Sequence, residues 1–159
     1  MRRLISLLVC LFVLLLTIGC AAAEQEAILP GGHYAVDVPD WMDYNDPIDG
    51  EAGVEAYISA DLEMDLISYT KEEALYRGMA ETLRQTAEEK KAQGADVQTR
   101  KVNGIEMLVY RLTDEEDGAP CIGYIFEDDD RVIEIVFWYA TQEAADETKV
   151  IMESIRAMD

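Results

Sequence analysis

Carboxylates are the abundant chemical resource of this chain: 33 Asp and Glu stand against 13 Lys and Arg, a formal charge of −20 over 159 residues. Two blocks concentrate them, Asp114-Glu115-Glu116-Asp117 and Glu127-Asp128-Asp129-Asp130, while Asp61, Glu63 and Asp65 alternate along a strand-like segment. Calcium is held by several such oxygens at once, so Asp114, Glu116, Asp128, Asp129 and Asp130 are candidate ligands if both loops lie at one end of a sheet. Neither block has the D-x-[DN]-x-[DN]-G spacing of an EF-hand. The plainer reading is a solvated acidic surface that keeps the protein soluble, and no cofactor beyond calcium is implied. Paired carboxylates also hydrolyse glycosides, but no spacing here sets an acid against a nucleophile.

Nucleophilic chemistry has little to work with. His33 is the sole histidine, so a Cys-His pair would be His33 with Cys121, which requires the strand beginning at His33 to lie beside the one carrying Cys121. The plainer readings are Cys121 as a small core residue and His33 as an exposed strand start. The G-x-S-x-G and G-x-x-x-x-G-K-[ST] motifs are absent, and a structural zinc site needs more Cys and His than the two, His33 and Cys121, that a mature chain would offer with its signal cleaved and Cys20 lipidated or discarded. Trp41 and Tyr44, in a polar loop over 40–53, can form a recognition surface. Alternatively, Trp41 plugs the sheet edge beside Val38 and Met42. The acidic balance excludes a nucleic-acid partner, because binding phosphates needs clustered Lys and Arg.

The N-terminus reads as an export signal. Met1-Arg2-Arg3 precedes an apolar run over 4–16, and no acid appears before Glu24. At about 13 residues the run is short for a bilayer span of ~20 but right for a signal peptide. Leu16-Thr17-Ile18-Gly19-Cys20 resembles a bacterial lipoprotein signal, making Cys20 a candidate lipidation site, whereas Ala21-Ala22-Ala23 offers an ordinary cleavage site before Glu24. The organisation expected is a signal peptide over 1–23, a short tether over 24–32 closing on Pro30-Gly31-Gly32, and one globular domain over 33–159. Once the signal is set aside Cys121 has no partner for an internal disulfide, so the fold must stand on its core.

Periodicity supplies the elements that position these groups. Residues 33–38 alternate as a strand, and 56–59 and 62–69 make two more strands or one bent strand. Thr70-Lys71-Glu72-Glu73 fits a capping box and predicts a helix to about residue 93, with an apolar stripe begun by Leu75, Met79 and Leu83. Residues 97–102, the hairpin signal Asn103-Gly104, and segments 105–112, 121–126 and 132–139 predict a four-strand meander. Thr141 caps a last helix to about residue 158. In the last strand Ile133, Ile135, Phe137 and Tyr139 oppose Val132, Val136 and Trp138, so both faces of the sheet need cover. The expected fold is α+β: a central antiparallel sheet of about six to seven strands with a long middle helix and a C-terminal helix, an α/β/α sandwich.

The strand ending in Val38-Pro39-Asp40-Trp41 and the order after it (short strands, long helix, antiparallel meander, C-terminal helix ending Met152-Glu153-Ser154-Ile155) resemble the PsbP-like fold superfamily. That superfamily includes photosystem II extrinsic proteins, a Ran-binding import factor and bacterial lipoproteins. The resemblance implies binding rather than catalysis. The function expected is an extracytoplasmic, membrane-anchored or secreted binding or accessory protein. Its partners would be the lipid membrane through Cys20 and an envelope protein or small ligand. The rivals are a small hydrolase using carboxylates or Cys121, and a divalent-cation-binding surface protein.

Overall fold

The computed structural model describes residues 24–45, 54–113 and 118–158. In chain order these form β1 (Glu24–Ile28), β2 (Tyr34–Pro39), β3 (Asp43–Asn45), β4 (Val54–Ile58), β5 (Leu62–Thr70), α1 (Lys71–Arg77), α2 (Leu83–Ala92), β6 (Asp96–Val102), β7 (Ile105–Thr113), β8 (Pro120–Asp128), β9 (Arg131–Tyr139), α3 (Gln142–Glu153) and β10 (Arg156–Ala157). Seven strands make one antiparallel sheet in the order β3-β4-β5-β9-β8-β7-β6, and β1-β2-β10 make a second, smaller one. The expected α+β class, antiparallel sheet and C-terminal helix are all present. The meander is the run β6 to β9, and β5 joins it along its whole length, from Leu62 opposite Tyr139 to Thr70 opposite Arg131.

The double-sided pattern of β9 decides the layers. Ile133, Ile135 and Phe137 pack with Val36 and Val38 of β2 and with Ile151 and Met152 of α3. Val132 and Val136 face the other way, into a cluster with Ala74, Leu83 and Ala87 from the α1–α2 side. One cover is therefore helical and the other is α3 together with the small sheet. Phe126, Phe137, Ile133 and Ile135 are fully buried, each contributing about 1.5–3 kcal/mol of transfer free energy.

Three expectations are corrected. The tether over 24–32 is mostly structure: Glu24–Ile28 pairs with β2, Leu29 is buried, and the Gln25 amide donates to the Met42 carbonyl at 2.6 Å. The long middle helix is two helices. Its capping box forms as predicted, with Thr70 and Glu73 exchanging bonds, but Gly78 takes φ +69° and ends the first helix, and Thr82 caps the second. The break rotates the stripe: Ala74 and Ala80 are buried, whereas Leu75 is 67% and Met79 39% exposed. The last helix stops at Glu153 rather than residue 158, because Arg156–Ala157 pairs with β2. The Asn103-Gly104 turn, with φ +47° and +90°, sits against that helix end. Its Asn103 amide donates to the carbonyls of Glu153 at 2.7 Å and Ile155 at 2.9 Å.

Candidate functional site

The acidic β8–β9 turn meets the start of β2. Gly31, at φ +103°, lets the chain pass so close that a Cβ there would lie 3.2 Å from the Asp128 carboxylate. His33 follows, with Nδ1 3.0 Å from Asp128 Oδ2 and 3.9 Å from Asp129 Oδ2. Asp128 is 8% exposed, while the His33 side chain is 56% exposed. The hydrogen bond to Asp128, then the Asp128 charge, raises the His33 pKa above the ordinary imidazole value, with Asp129 and Asp130 adding to it. The turn is held from the other side, where the Lys71 N–H donates to the Asp130 carbonyl at 2.7 Å and the Lys71 ammonium pairs with Glu127 at 2.9 Å.

Ligand atoms of His33, Asp128 and Asp129 lie within 4.8 Å of one another. One imidazole and two carboxylates suit a transition-metal ion better than calcium, which takes oxygen throughout. Asp114 and Glu116 lie outside the described residues. The shared calcium site expected for the two acidic loops does not follow from this topology: β7, β8 and β9 are antiparallel neighbours, so the β7–β8 connection and the β8–β9 turn lie at opposite ends of β8. Asp130 contributes its carbonyl to the scaffold.

The His33–Cys121 pair is not formed. Cys121 is buried and lies opposite Leu112 and Trp138, seven residues before Asp128 and so about 24 Å from it along the strand. Glu63 and Asp65 share a face of β5, but Asp61 lies in the turn before that strand; Asp65 accepts from the Trp138 indole at 3.2 Å. Burial, with Glu63 adding to it, pushes the Asp65 carboxyl up to about 6.

Trp41 does not plug the sheet edge. Met42, 1% exposed, does so, and Trp41 is left 46% exposed. It walls a groove of about 480 Å3 with Asp61, Leu62, Thr141, Glu143 and Glu147, and no Lys or Arg is among the lining residues. The groove lies where the β4–β5 turn meets the first turns of α3. Tyr44, 50% exposed, stacks edge-on against Tyr57 at 5.3 Å and does not line that groove.

Sequence reasoning missed a polar cluster under α2. Tyr110 donates to Glu134 at 2.7 Å, and Lys90 pairs with the same carboxylate at 2.9 Å while lying 4.3 Å from the centre of the Tyr110 ring. The ring occupies the place a side chain would take at Gly123, where a Cβ would be 2.1 Å from it. An isolated glycine inside the apolar run Ile122-Gly123-Tyr124-Ile125 was the available signal for that close approach. Every polar group in this cluster is satisfied, which makes it scaffold rather than site.

No family model matches the chain, and no curated protein matches it. Solved structures do match. A crystal structure from Bacteroides thetaiotaomicron superposes with a TM-score of 0.59 at 15% identity, over 85% of this chain and 48% of that one, so this chain spans about half its length. Cyanobacterial PsbP (CyanoP) from Synechocystis matches with a TM-score of 0.50 at 16% identity, over 88% and 96%. The Saccharomyces cerevisiae Ran-binding protein Mog1p matches with a TM-score of 0.51 at 11% identity, over 87% and 97%. The resemblance first drawn from residues 38–41 and the element order thus holds for nearly all of the described domain: this chain has the fold shared by PsbP and Mog1p.

Proposed function

We propose that the protein is a non-catalytic binding or accessory module, held on a membrane outside the cytoplasm by a lipidated Cys20, and that its Trp41 groove takes a cationic group of its partner or ligand. The observation that carries the binding reading is the groove wall itself. A half-exposed indole lines the groove together with Asp61, Glu143 and Glu147, and no basic residue is among the lining residues. An indole face and a carboxylate each attract a cation, the former by about 0.5–2 kcal/mol depending on desolvation. The fold supports the same reading by analogy, since one protein sharing it is a Ran-binding protein. The anchor rests on Leu16-Thr17-Ile18-Gly19-Cys20, which lies outside the described residues. Among the described residues no helix is long and apolar enough to cross a membrane.

A lysine-arginine tetrapeptide titrated against indole fluorescence tests the groove. Saturable quenching that disappears in Trp41→Leu and weakens in Glu143→Gln/Glu147→Gln is expected. Quenching that survives Trp41→Leu would belong to Trp138 and reject the groove, and no quenching rejects the cationic ligand. The anchor is tested separately: Cys20→Ser should release the protein from the membrane fraction, and an intact mass showing an unmodified N-terminus at Glu24 would refute lipidation.

A further inference from the structure

A second groove lies at the opposite end of α3, and its charge is reversed. The Asn103 clamp docks the β6–β7 hairpin on the helix C-terminus. Between hairpin and helix is a cavity of about 420 Å3, with Arg100, Lys101 and Lys149 on its walls, Glu153 at its rim, and Tyr124 and Met152 among its lining residues. Arg100 and Lys149 thus meet one carboxylate there, in a chain where acids outnumber bases 33 to 13.

The carboxylates nearby leave that charge unbalanced. Glu153 pairs with Lys149 at 3.5 Å, but both side chains are well exposed, so the pair is weak and open to competition. Among the described residues neither Arg100 nor Lys101 makes an ion pair. Arg100 donates to the Gln98 amide at 3.1 Å, and Gln98 in turn donates to Asp96 at 3.3 Å. Lys101 alternates to the other face of β6, opposite Glu106 in register, without closing on it. Arg111 of β7 shares the face of Arg100, with Asp96 opposite it in register. Burial raises the Tyr124 pKa; its hydrogen bond with Thr148, then the charges of Arg111 and Arg100, pull it down, and Glu153 pushes it up. The walls are set before any ligand arrives: Met152 is 1% and Tyr124 8% exposed, and the hairpin is tied to the helix by two hydrogen bonds.

We propose that this groove binds a phosphate group, with Arg100 offering its planar fork of donors, Lys149 its ammonium group in exchange for Glu153, and Tyr124 the apolar floor. The guanidinium fork matches the geometry of paired phosphate oxygens, and an anion carrying more than one charge can also draw Lys149 from its exposed pair with Glu153. The phosphate can belong to a free small molecule or to a lipid headgroup. The site is separate from the Trp41 groove, so either can fail without the other.

The full chain is titrated with inorganic pyrophosphate at constant ionic strength, by calorimetry and by melting temperature. Saturable binding is expected, weakened about tenfold or more in Arg100→Gln/Lys149→Gln and strengthened in Glu153→Gln, with unchanged far-ultraviolet dichroism in each variant. Co-sedimentation with phosphatidylcholine vesicles, with and without phosphatidylglycerol, is the second arm. A gain from phosphatidylglycerol that the double variant loses assigns the phosphate to a lipid headgroup, and pyrophosphate binding alone assigns it to a soluble ligand. Failure of both probes overturns the proposal. So does binding that the double variant retains, or a melting shift that sodium chloride reproduces at equal ionic strength.

Discussion

Replacing Gly123 with alanine adds one methyl group at the place where the Tyr110 ring already sits. The new Cβ would lie 2.1 Å from Tyr110 Cε1 and 2.2 Å from Cζ, far inside van der Waals contact, and Tyr110 is only 3% exposed. Gly123 does not adopt a positive φ, so alanine meets no backbone penalty there and the cost is steric alone. Either the ring leaves or β8 shifts, and both outcomes break the 2.7 Å bond to Glu134 and the contact with Lys90. Overpacking a core costs about 1–3 kcal/mol, and a hydrogen bond to a charged partner contributes about 1.5–3 kcal/mol. Together these predict a loss of about 3–5 kcal/mol, a large share of the ~5–15 kcal/mol that holds a domain of this size. At roughly 3 °C per kcal/mol, the melting temperature should fall by about 10–15 °C. Urea unfolding followed by dichroism measures it, with Tyr110→Ala as the second arm of a double-mutant cycle. In the Tyr110→Ala background the ring is gone, and Gly123→Ala should be neutral or slightly stabilising, because it lowers the entropy of the unfolded chain. A Gly123→Ala chain within about 0.5 kcal/mol of the parent, or a penalty that persists without Tyr110, would refute the reasoning.

The remaining predictions concern charge. Because Asp128 raises the His33 pKa, the pair stabilises the fold fully below the imidazole's unfolded value of about 6.5 and loses that stabilisation as pH climbs through the raised value. His33→Gln should flatten this part of the stability–pH curve, as measured by urea midpoints from pH 6 upward, and an unchanged slope would show that His33 does not carry it. Asp65 has the opposite fault: burial lifts its carboxyl to about 6, so the folded state loses stability as pH rises from below the unfolded value near 3.9 through 6. Asp65→Asn keeps an acceptor for the Trp138 indole and should gain about 1 kcal/mol at pH 8 after allowance for solvent screening, but nothing at pH 3. An equal effect at both pH values would point to packing instead. Calcium at micromolar concentration should give no selective melting shift, and any millimolar effect should be matched by monovalent salt at comparable ionic strength. A sharp calcium-selective shift, lost in Asp128→Asn/Asp129→Asn/Asp130→Asn, would promote the turn to a calcium site.

What was legible in the amino-acid order was whatever local physics dictates. The period-two pattern of β9 announced a sheet buried on both faces, Asn103-Gly104 announced its hairpin by the left-handed backbone it accepts, and Thr70 with Glu73 announced a helix start. These signals depend on neighbours a few residues apart, so they survive into the tertiary structure unchanged. The middle helix failed for a related reason: the stripe over Leu75, Met79 and Leu83 looked continuous, but Gly78 can end a helix, and whether it does depends on what the following turn packs against. The strand at 24–28 was hidden because Glu24-Gln25-Glu26 is an edge sequence whose partner, β2, only the folded chain supplies. The functional groupings were wholly tertiary. His33 and Asp128 are 95 residues apart, and Arg100 and Lys149, which line one groove, are nearly 50 apart. Trp41 and Met42 show the limit most plainly. The sequence left Trp41 either as the plug of the sheet edge or as part of a recognition surface, and only the geometry of the turn after Pro39 decided that Met42 points inward while Trp41 faces solvent beside a carboxylate-lined groove.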